Sequence, residues 1–262
     1  MKHISSRENP LYKELRRLAD SARARREQGT IVLDGVHLVQ TYLSRFGSAS
    51  LRLFIKQSAH DHPEIAALAE QSTSVMLLDD SLFDRAAPVE SPVGILALAP
   101  RPTPPKISAD SPLHVLLDGV QDPGNVGAIL RSAAAAGAVA VHLSSDCADP
   151  WSPKTLRGGM GAQFVIPVAQ SDDLSSAAAA LGVPLVACVA NGQTSLFHAD
   201  LRGPIGVIIG GEGGGISQPV LRQAHLLLRI PMSGGIESLN AAAAASVVFY
   251  ERFRQQEFAQ PV

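Results

Sequence analysis

With 262 residues, 46% of them hydrophobic and 18% charged, and a formal net charge of −2, the chain has a globular balance, which excludes a disordered segment and a uniformly basic nucleic-acid glove. Its length allows two domains or one large one. Two cysteines, Cys147 and Cys188, exclude a disulfide scaffold, show no metal-ligand spacing, and point to a reducing compartment.

The N-terminal stretch MKHISSRENPLYKELRR is too polar for a signal peptide. No apolar run approaches the ~18 residues that a membrane helix needs. A cytoplasmic protein with no membrane and no metal is expected. Residues 1–30 hold eight Lys/Arg against four Asp/Glu, which leaves −6 for the rest of the chain. Such asymmetry marks either a phosphate-binding arm or a solvated helix face. Asn9-Pro10 predicts a helix start, with Asn as cap and Pro at the first helical position, running to about Gln28.

Strand-like and helix-like segments then alternate through TIVLDG, VHLVQTYLSRF, LRLFIKQ, HPEIAALAEQ, SVMLLDD, SLFDRAA and GILALAP. This pattern implies a sheet with helices packed on it, and the unit closes near Pro100. The proline-rich stretch at 101–112 reads as a stiff linker between a domain over 1–100 and a domain over 113–262. The second half restarts the alternation, with continuously apolar strands such as LHVLLDGV, PLVACVA and PIGVIIGG. That is the composition of a parallel sheet covered on both faces. The alanine runs are helix filler.

Ligands of open parallel sheets bind outside the carboxyl ends of the strands, and three strand ends carry unusual chemistry. In LDGVQDPGNVGAILR, Asp122-Pro123-Gly124 reads as a turn and Asn125 as a helix cap, with Arg131 in an otherwise apolar helix. Such an arginine needs a carboxylate, a phosphate or water. In VIIGGEGGGIS, glycines surround Glu212 and open the backbone to close approach. A dinucleotide reading fits poorly, because the G-x-G-x-x-G fingerprint belongs at a first βα turn. In IPMSGGIESLN, glycines leave N–H groups open, and Ser238 or Asn240 can cap the last helix.

Taken in order, DPGNVGAILR at 122–131, GGEGGG at 210–215 and IPMSGGIESLN at 230–240 resemble the motifs of the SpoU (TrmH) family of RNA ribose 2′-O-methyltransferases, members of the SPOUT class. The N-terminal ~100 residues are similar to the family's L30e-like substrate-binding domain, which favours ribosomal over transfer RNA. The resemblance implies an α/β fold: a C-terminal SPOUT domain with a parallel sheet and a deep trefoil knot, preceded by the smaller L30e-like domain. It also implies S-adenosylmethionine as cofactor, RNA as partner and a homodimer through the C-terminal domain. Its cofactor contacts fall on Ile209, Gly210, Gly211, Ile230, Met232, Ser238 and Leu239. Its catalytic positions fall on Asn125, Arg131, Glu212, Ser238 and Asn240, with Glu212 bracing Arg131 or Asn125. Gly211 stands where the family more often has Asn, Ser or Ala, and Gly159 where a serine is usual.

For RNA contacts, Tyr12, Arg16 and Arg17 are candidates in the first domain, and Lys154 and Arg157 in the loop near LRGGMGAQ. A sulfonium methyl is already activated, so the expected chemistry is alignment of a ribose 2′-hydroxyl with it. Arginine is effectively always protonated, so Arg131 is expected to orient and stabilise rather than remove a proton. The alternatives are transfer-RNA ribose methylation and an RNA-binding homologue that has lost catalysis.

Overall fold

The computed structural model describes residues 1–89, 91–103, 110 and 112–258. The linker expected at 101–112 therefore lies largely outside the described residues. Two compact units are present: Met1–Thr103 together with Trp151–Phe164, and Pro104–Pro150 together with Val165–Val262.

In the first unit, β1 (Lys2–Ile4) leads into α1 (Pro10–Asp20) and α2 (Ala22–Gln28). Asn9 caps α1 by accepting from the Leu11 N–H at 3.0 Å. The single helix expected to Gln28 is instead two. Ser21 is extended, ends α1, and caps α2 by accepting from Ala24 N–H at 3.2 Å. Gly29 then closes α2 in the left-handed conformation at φ 58°, which glycine adopts without steric cost. After that come β2 (Thr30–Asp34), α3 (Val36–Phe46), β3 (Arg52–Lys56), α4 (Pro63–Glu70), β4 (Val75–Leu78), α5 (Asp80–Ala86) and β5 (Ile95–Pro100).

These strands form a mixed sheet in the order β1-β4-β3-β5-β2, with β5 antiparallel to both its neighbours. Strand alternation sends Ile31, Leu33, Leu53, Ile55, Ile95 and Ala97 to one face. There they pack with Leu38 and Tyr42 of α3 and with Trp151, Leu156 and Phe164. Val32, Phe54, Leu96 and Leu98 point to the other face, against Tyr12, Leu15 and Leu18 of α1 and Phe83 of α5. Both faces are thus covered, as the apolar runs require. β1 was not legible in the sequence: its three residues gain strand structure only by parallel pairing with β4.

Much of the N-terminal positive charge is internally paired. Lys13 meets Glu8, Arg23 meets Glu27, and Arg52 forms a two-bond pair with Glu14 at 2.7 and 2.8 Å. Arg25 is buried and donates to the Leu18 and Ala19 carbonyls at the end of α1, where a cation also complements the helix dipole.

The second unit begins with β6 (Leu113–Asp118), α6 (Pro123–Ala135) and β7 (Ala138–Ser144). The next helix in the chain, α7 (Pro153–Gly159), belongs to the first unit. The second unit resumes with β8 (Val168–Ser171), α8 (Leu174–Ala179), β9 (Leu185–Cys188), β10 (Thr194–Ser195), β11 (Ile205–Gly210), α9 (Gln218–Leu221), β12 (Leu226–Arg229) and α10 (Ala241–Glu257). All seven strands are parallel, in the order β10-β12-β9-β11-β6-β7-β8. One face packs Leu116, Leu185, Ala187 and Ile208 against α8 and α9. On α6 and α10, small residues allow close approach, and the Ser132 and Ser246 hydroxyls meet at 2.8 Å. No helix among the described residues is long and apolar enough to cross a membrane.

His114 and His142 lie on neighbouring strands with ring centroids 5.7 Å apart. Burial, and secondarily the charge of His114, push His142 from 6.5 down to about 4. Between those values the unfolded chain binds more protons than the folded one, so stability is present above pH 6.5 and is lost as pH falls towards 4. The loss should reach at most about 3 kcal/mol. Urea unfolding of the wild type and His142→Phe at pH 7 and pH 4.5 checks this. The variant should lose less stability on acidification, and equal losses would contradict the assignment.

Candidate functional site

The chain order reverses across the β6–β11 pair: β7 and β8 lie to one side of it, and β9 and β12 to the other. The crevice at such a switch point is where open parallel sheets hold ligands. Three segments converge on the carboxyl ends of these strands.

The first is the start of α6. Its cap is Asp122, not Asn125 as expected: Asp122 Oδ1 accepts from the Asn125 N–H at 2.7 Å, with Pro123 at the first helical position. The capping role thus moves three residues upstream and leaves the Asn125 side chain free for other bonds.

The second is the glycine turn after β11. The Gly211 N–H donates to the Asp118 carbonyl at 2.9 Å, and the Gly215 N–H donates to the Gly211 carbonyl at 2.9 Å. Asp118, the last residue of β6, also accepts from the Ser217 N–H through Oδ2 at 2.7 Å. One buried carboxylate therefore holds the far side of the turn, which leaves Glu212 exposed near its tip. A polar residue ending the apolar run LHVLLD was the available signal for Asp118, and the sequence reading did not use it. Glycine is required by space here. A Cβ on Gly210 would lie 2.4 Å from the Gly215 carbonyl carbon, and one on Gly211 would lie 2.0 Å from the Gly119 oxygen. The turn therefore sits directly against the residue that follows β6.

The third is residues 230–239, which run without regular structure from β12 to α10. The stretch is broken by one turn at Gly234–Gly235. Asn240 ends the stretch and, of the two candidates, is the residue that caps α10: its Oδ1 accepts from Ala242 and Ala243 N–H at 2.9 and 3.2 Å.

The side chains of the three segments meet. Glu212 Oε1 accepts from Asn125 Nδ2 at 2.7 Å and from Asn240 Nδ2 at 2.9 Å, and Asn240 Nδ2 also donates to Asn125 Oδ1 at 2.9 Å. Residues 115 positions apart in sequence are thereby held in one network. Beside it opens a cavity of about 330 Å³, within the range of small-molecule sites. Its lining includes Ile209, Gly210, Gly211, Ile230, Met232, Ser238 and Leu239, together with Glu212. Cys188, which the sequence reading treated as a packing residue, also lines it, and burial pushes its thiol up to about 11. Cys147 lies away from the cavity, where its thiol donates to the Leu117 carbonyl at 3.2 Å.

Other expected site residues are placed differently. Arg131 is exposed on α6 and forms no hydrogen bond or ion pair among the described residues, so of the two braces expected from Glu212 only that to Asn125 is present. Tyr12 is 2% exposed in the first unit's core and cannot offer its ring to a base. The i, i+3 spacing of Tyr12, Leu15 and Leu18 on an amphipathic helix is the reason. Arg16, Arg17 and Lys154 are exposed, and Arg157 pairs with Asp34 at 3.0 Å.

The second unit is thus an α/β domain whose carboxyl edge opens a part-apolar cavity between a glycine turn, an irregular loop and an amide–carboxylate cluster. Residues 112–250 match the model of the SpoU rRNA Methylase family. The chain is 35% identical to an uncharacterized tRNA/rRNA methyltransferase of Synechocystis sp., covering 97% of this chain and 94% of that protein. It is 31% identical to the 23S rRNA (guanosine(2553)-2'-O)-methyltransferase RlmP of Bacillus subtilis, covering 95% and 98%. The AdoMet-bound rRNA methyltransferase from Sinorhizobium meliloti superimposes with a TM-score of 0.78 at 28% identity, covering 97% of each chain. The chain belongs to the SpoU rRNA methylase family.

Proposed function

We propose that this protein methylates the 2′-hydroxyl of a ribose in ribosomal RNA, with S-adenosylmethionine as donor. The observation that carries this reading is the convergence of the Gly210–Gly211 turn, the irregular 230–239 main chain and the Asn125–Glu212–Asn240 network on one cavity.

The residues present fit that donor. Ile209, Ile230 and Leu239 supply apolar walls for a flat ring, and Gly210 lets the Gly215–Ile216 backbone close against the cavity's glycine turn. Main-chain N–H and C=O groups of the irregular 230–239 stretch can read a base edge. When bound, the donor supplies an activated sulfonium methyl. Glu212 fixes the amides of Asn125 and Asn240, so the ribose meets donors and acceptors already oriented rather than mobile. Ser238 lines the cavity and offers a hydroxyl to the same ligand. Arg131 supplies positive charge to the ribose oxygen or the adjoining phosphate. An arginine side chain offers donors and no acceptor, so the hydroxyl proton passes to phosphate or water.

Around this site we place a trefoil-knotted SPOUT domain in the second half, an L30e-like RNA-binding domain before it, and the boundary at 101–112. A homodimer through the C-terminal domain is supported by Val247 and Tyr250, which stand 36% and 50% exposed three residues apart on α10. A cytoplasmic location follows from the ribosomal substrate.

The test is transfer of labelled methyl from S-adenosylmethionine to ribosomal RNA, with the product mapped as a 2′-O-methylated nucleotide. Base methylation, or none, would overturn the reading. Arg131→Lys keeps the charge but not the planar fork, and turnover should fall roughly 10- to 100-fold if one oriented hydrogen bond is lost. Unchanged turnover in single-turnover assays would remove Arg131 from that role.

A further inference from the structure

A second cavity, also of about 330 Å³, lies within the first unit. It is lined by the end of β2, the start of α3, His62 and Ile65 at α4, Val93, and Arg157 and Met160 at the end of α7. The methyl-transfer chemistry makes no use of it.

Its chemistry is specific. The Asp34 side chain is completely buried, and one carboxylate oxygen, Oδ2, accepts from Arg157 Nη1 at 3.0 Å. The other, Oδ1, has no hydrogen-bond donor. Leaving a buried charged acceptor without a donor is unfavourable, and burial raises the Asp34 carboxyl against the opposing pull of Arg157. The Arg157 side chain itself is 43% exposed and lines the cavity, so it retains N–H groups that a ligand can meet. The Asp34 carboxylate is sealed from the cavity and holds Arg157 from behind, so the group a ligand meets is the Arg157 guanidinium, whose fork of donors matches adjacent acceptor atoms on the edge of a nucleobase.

The walls suit the faces of such a ring. Val36, Ile65, Val93 and Met160 are apolar, and Gly35, at φ 101°, presents no side chain between β2 and the cavity. His37 and His62 are exposed at the same cavity, and their rings make no hydrogen bonds among the described residues. Imidazole rings can stack on a base or meet a phosphate at neutral pH. Met160 holds a left-handed conformation at φ 50°, the only non-glycine residue to do so among the described residues. That backbone geometry is uncommon for a side-chain-bearing residue, and here it accompanies a thioether beside the cavity.

We propose that this cavity receives one unpaired base of the RNA substrate, with Arg157, positioned by the buried Asp34, reading its edge and the apolar walls enclosing its faces. Unpaired, splayed-out bases are what sequence-specific RNA recognition reads. The inference rests on the ribosomal-RNA reading above and assigns the first unit a base-specific role, beyond phosphate attraction.

The test uses the full-length protein saturated with S-adenosylmethionine, a ribosomal-RNA fragment that the wild type methylates, and the four free nucleoside monophosphates as competitors. Val93→Trp fills the cavity from an exposed rim position, 52% exposed in the wild type. Asp34→Asn removes the buried charge while keeping the side-chain shape. Both variants should bind the fragment about 10- to 100-fold more weakly, as expected for a lost charge-assisted hydrogen bond and base stacking. S-adenosylmethionine affinity should be unchanged. In chemical probing, a single unpaired base protected by the wild type should become reactive with Val93→Trp. Wild-type RNA affinity and protection in a Val93→Trp protein with an unaltered melting temperature would overturn the proposal. So would a cavity that binds a free monophosphate while leaving RNA affinity untouched when filled. If the wild type binds the RNA through this cavity but transfers no methyl group, it is the catalytic reading that fails.

Discussion

Gly210→Ala is expected to abolish measurable binding of S-adenosylmethionine, whereas Gly214→Ala in the same turn should leave it intact. The contrast comes from space alone. A Cβ at Gly210 would stand 2.4 Å from the Gly215 carbonyl carbon and 2.6 Å from the Ile216 nitrogen, while one at Gly214 meets nothing within 4 Å. Backbone on both sides cannot swing away as a flexible side chain would. The Gly211–Gly215 bridge must open, and the Ser217 N–H must leave Asp118. Overpacking of this kind costs about 1–3 kcal/mol. The damage falls on the cavity lining, since Gly210, Gly211, Gly215 and Ile216 all contribute to it. An affinity loss above roughly 100-fold follows if about 3 kcal/mol is charged to the bound state. Equilibrium dialysis with labelled donor measures both variants. Equal affinities in two folded proteins would show that the turn does not hold the donor.

Asn240→Asp should lower turnover by on the order of 100-fold, comparable to removal of one preorganised donor from an active site, with little change in folding. The new carboxylate can still accept from the Ala242 and Ala243 N–H groups, so the α10 cap is preserved. What it cannot do is donate to Glu212 Oε1, now 2.9 Å away, or to Asn125 Oδ1. Two carboxylates at that distance do not both ionise readily, and one is driven to hold a proton. The variant should therefore recover part of its activity as pH falls, because protonating the pair restores a donor. Asn240→Ala lacks both cap and donor and should show no such recovery. Initial rates of methyl transfer between pH 8 and pH 5.5 separate the two, and parallel profiles would mean that Asn240 acts only as a cap.

Much of this is legible in the sequence, for reasons that differ from residue to residue. Apolar runs such as IGVIIG announced buried parallel strands because a sheet covered on both faces needs no alternation. Asn9-Pro10 announced a helix start because cap and fixed φ are local properties. The seven expected cavity residues share one lining because their two loops leave β11 and β12, the strands on either side of β9, at the same edge of the sheet. Features that depend on distant partners were hidden. β1 becomes a strand only against β4. The bond from Asn240 to Asn125 crosses the carboxyl edge of the sheet, and nothing in the spacing of either motif reveals it. Asn125 resembles a cap in isolation, but Asp122 lies where its oxygen reaches the Asn125 N–H first. Charge counting left the first thirty residues open between a phosphate-binding arm and a solvated helix face, because it cannot show the ion pairs of Lys13 and Arg23 or the burial of Arg25.

The most direct test of the central claim is calorimetric titration of the full-length protein with S-adenosylmethionine, in parallel with Gly210→Ala and Asp34→Asn. One donor should bind per chain in the wild type and in Asp34→Asn, and binding should vanish in a folded Gly210→Ala. Absence of binding to the wild type, or undiminished binding to Gly210→Ala, would contradict the placement of the methyl donor in the cavity at the ends of β9, β11 and β12.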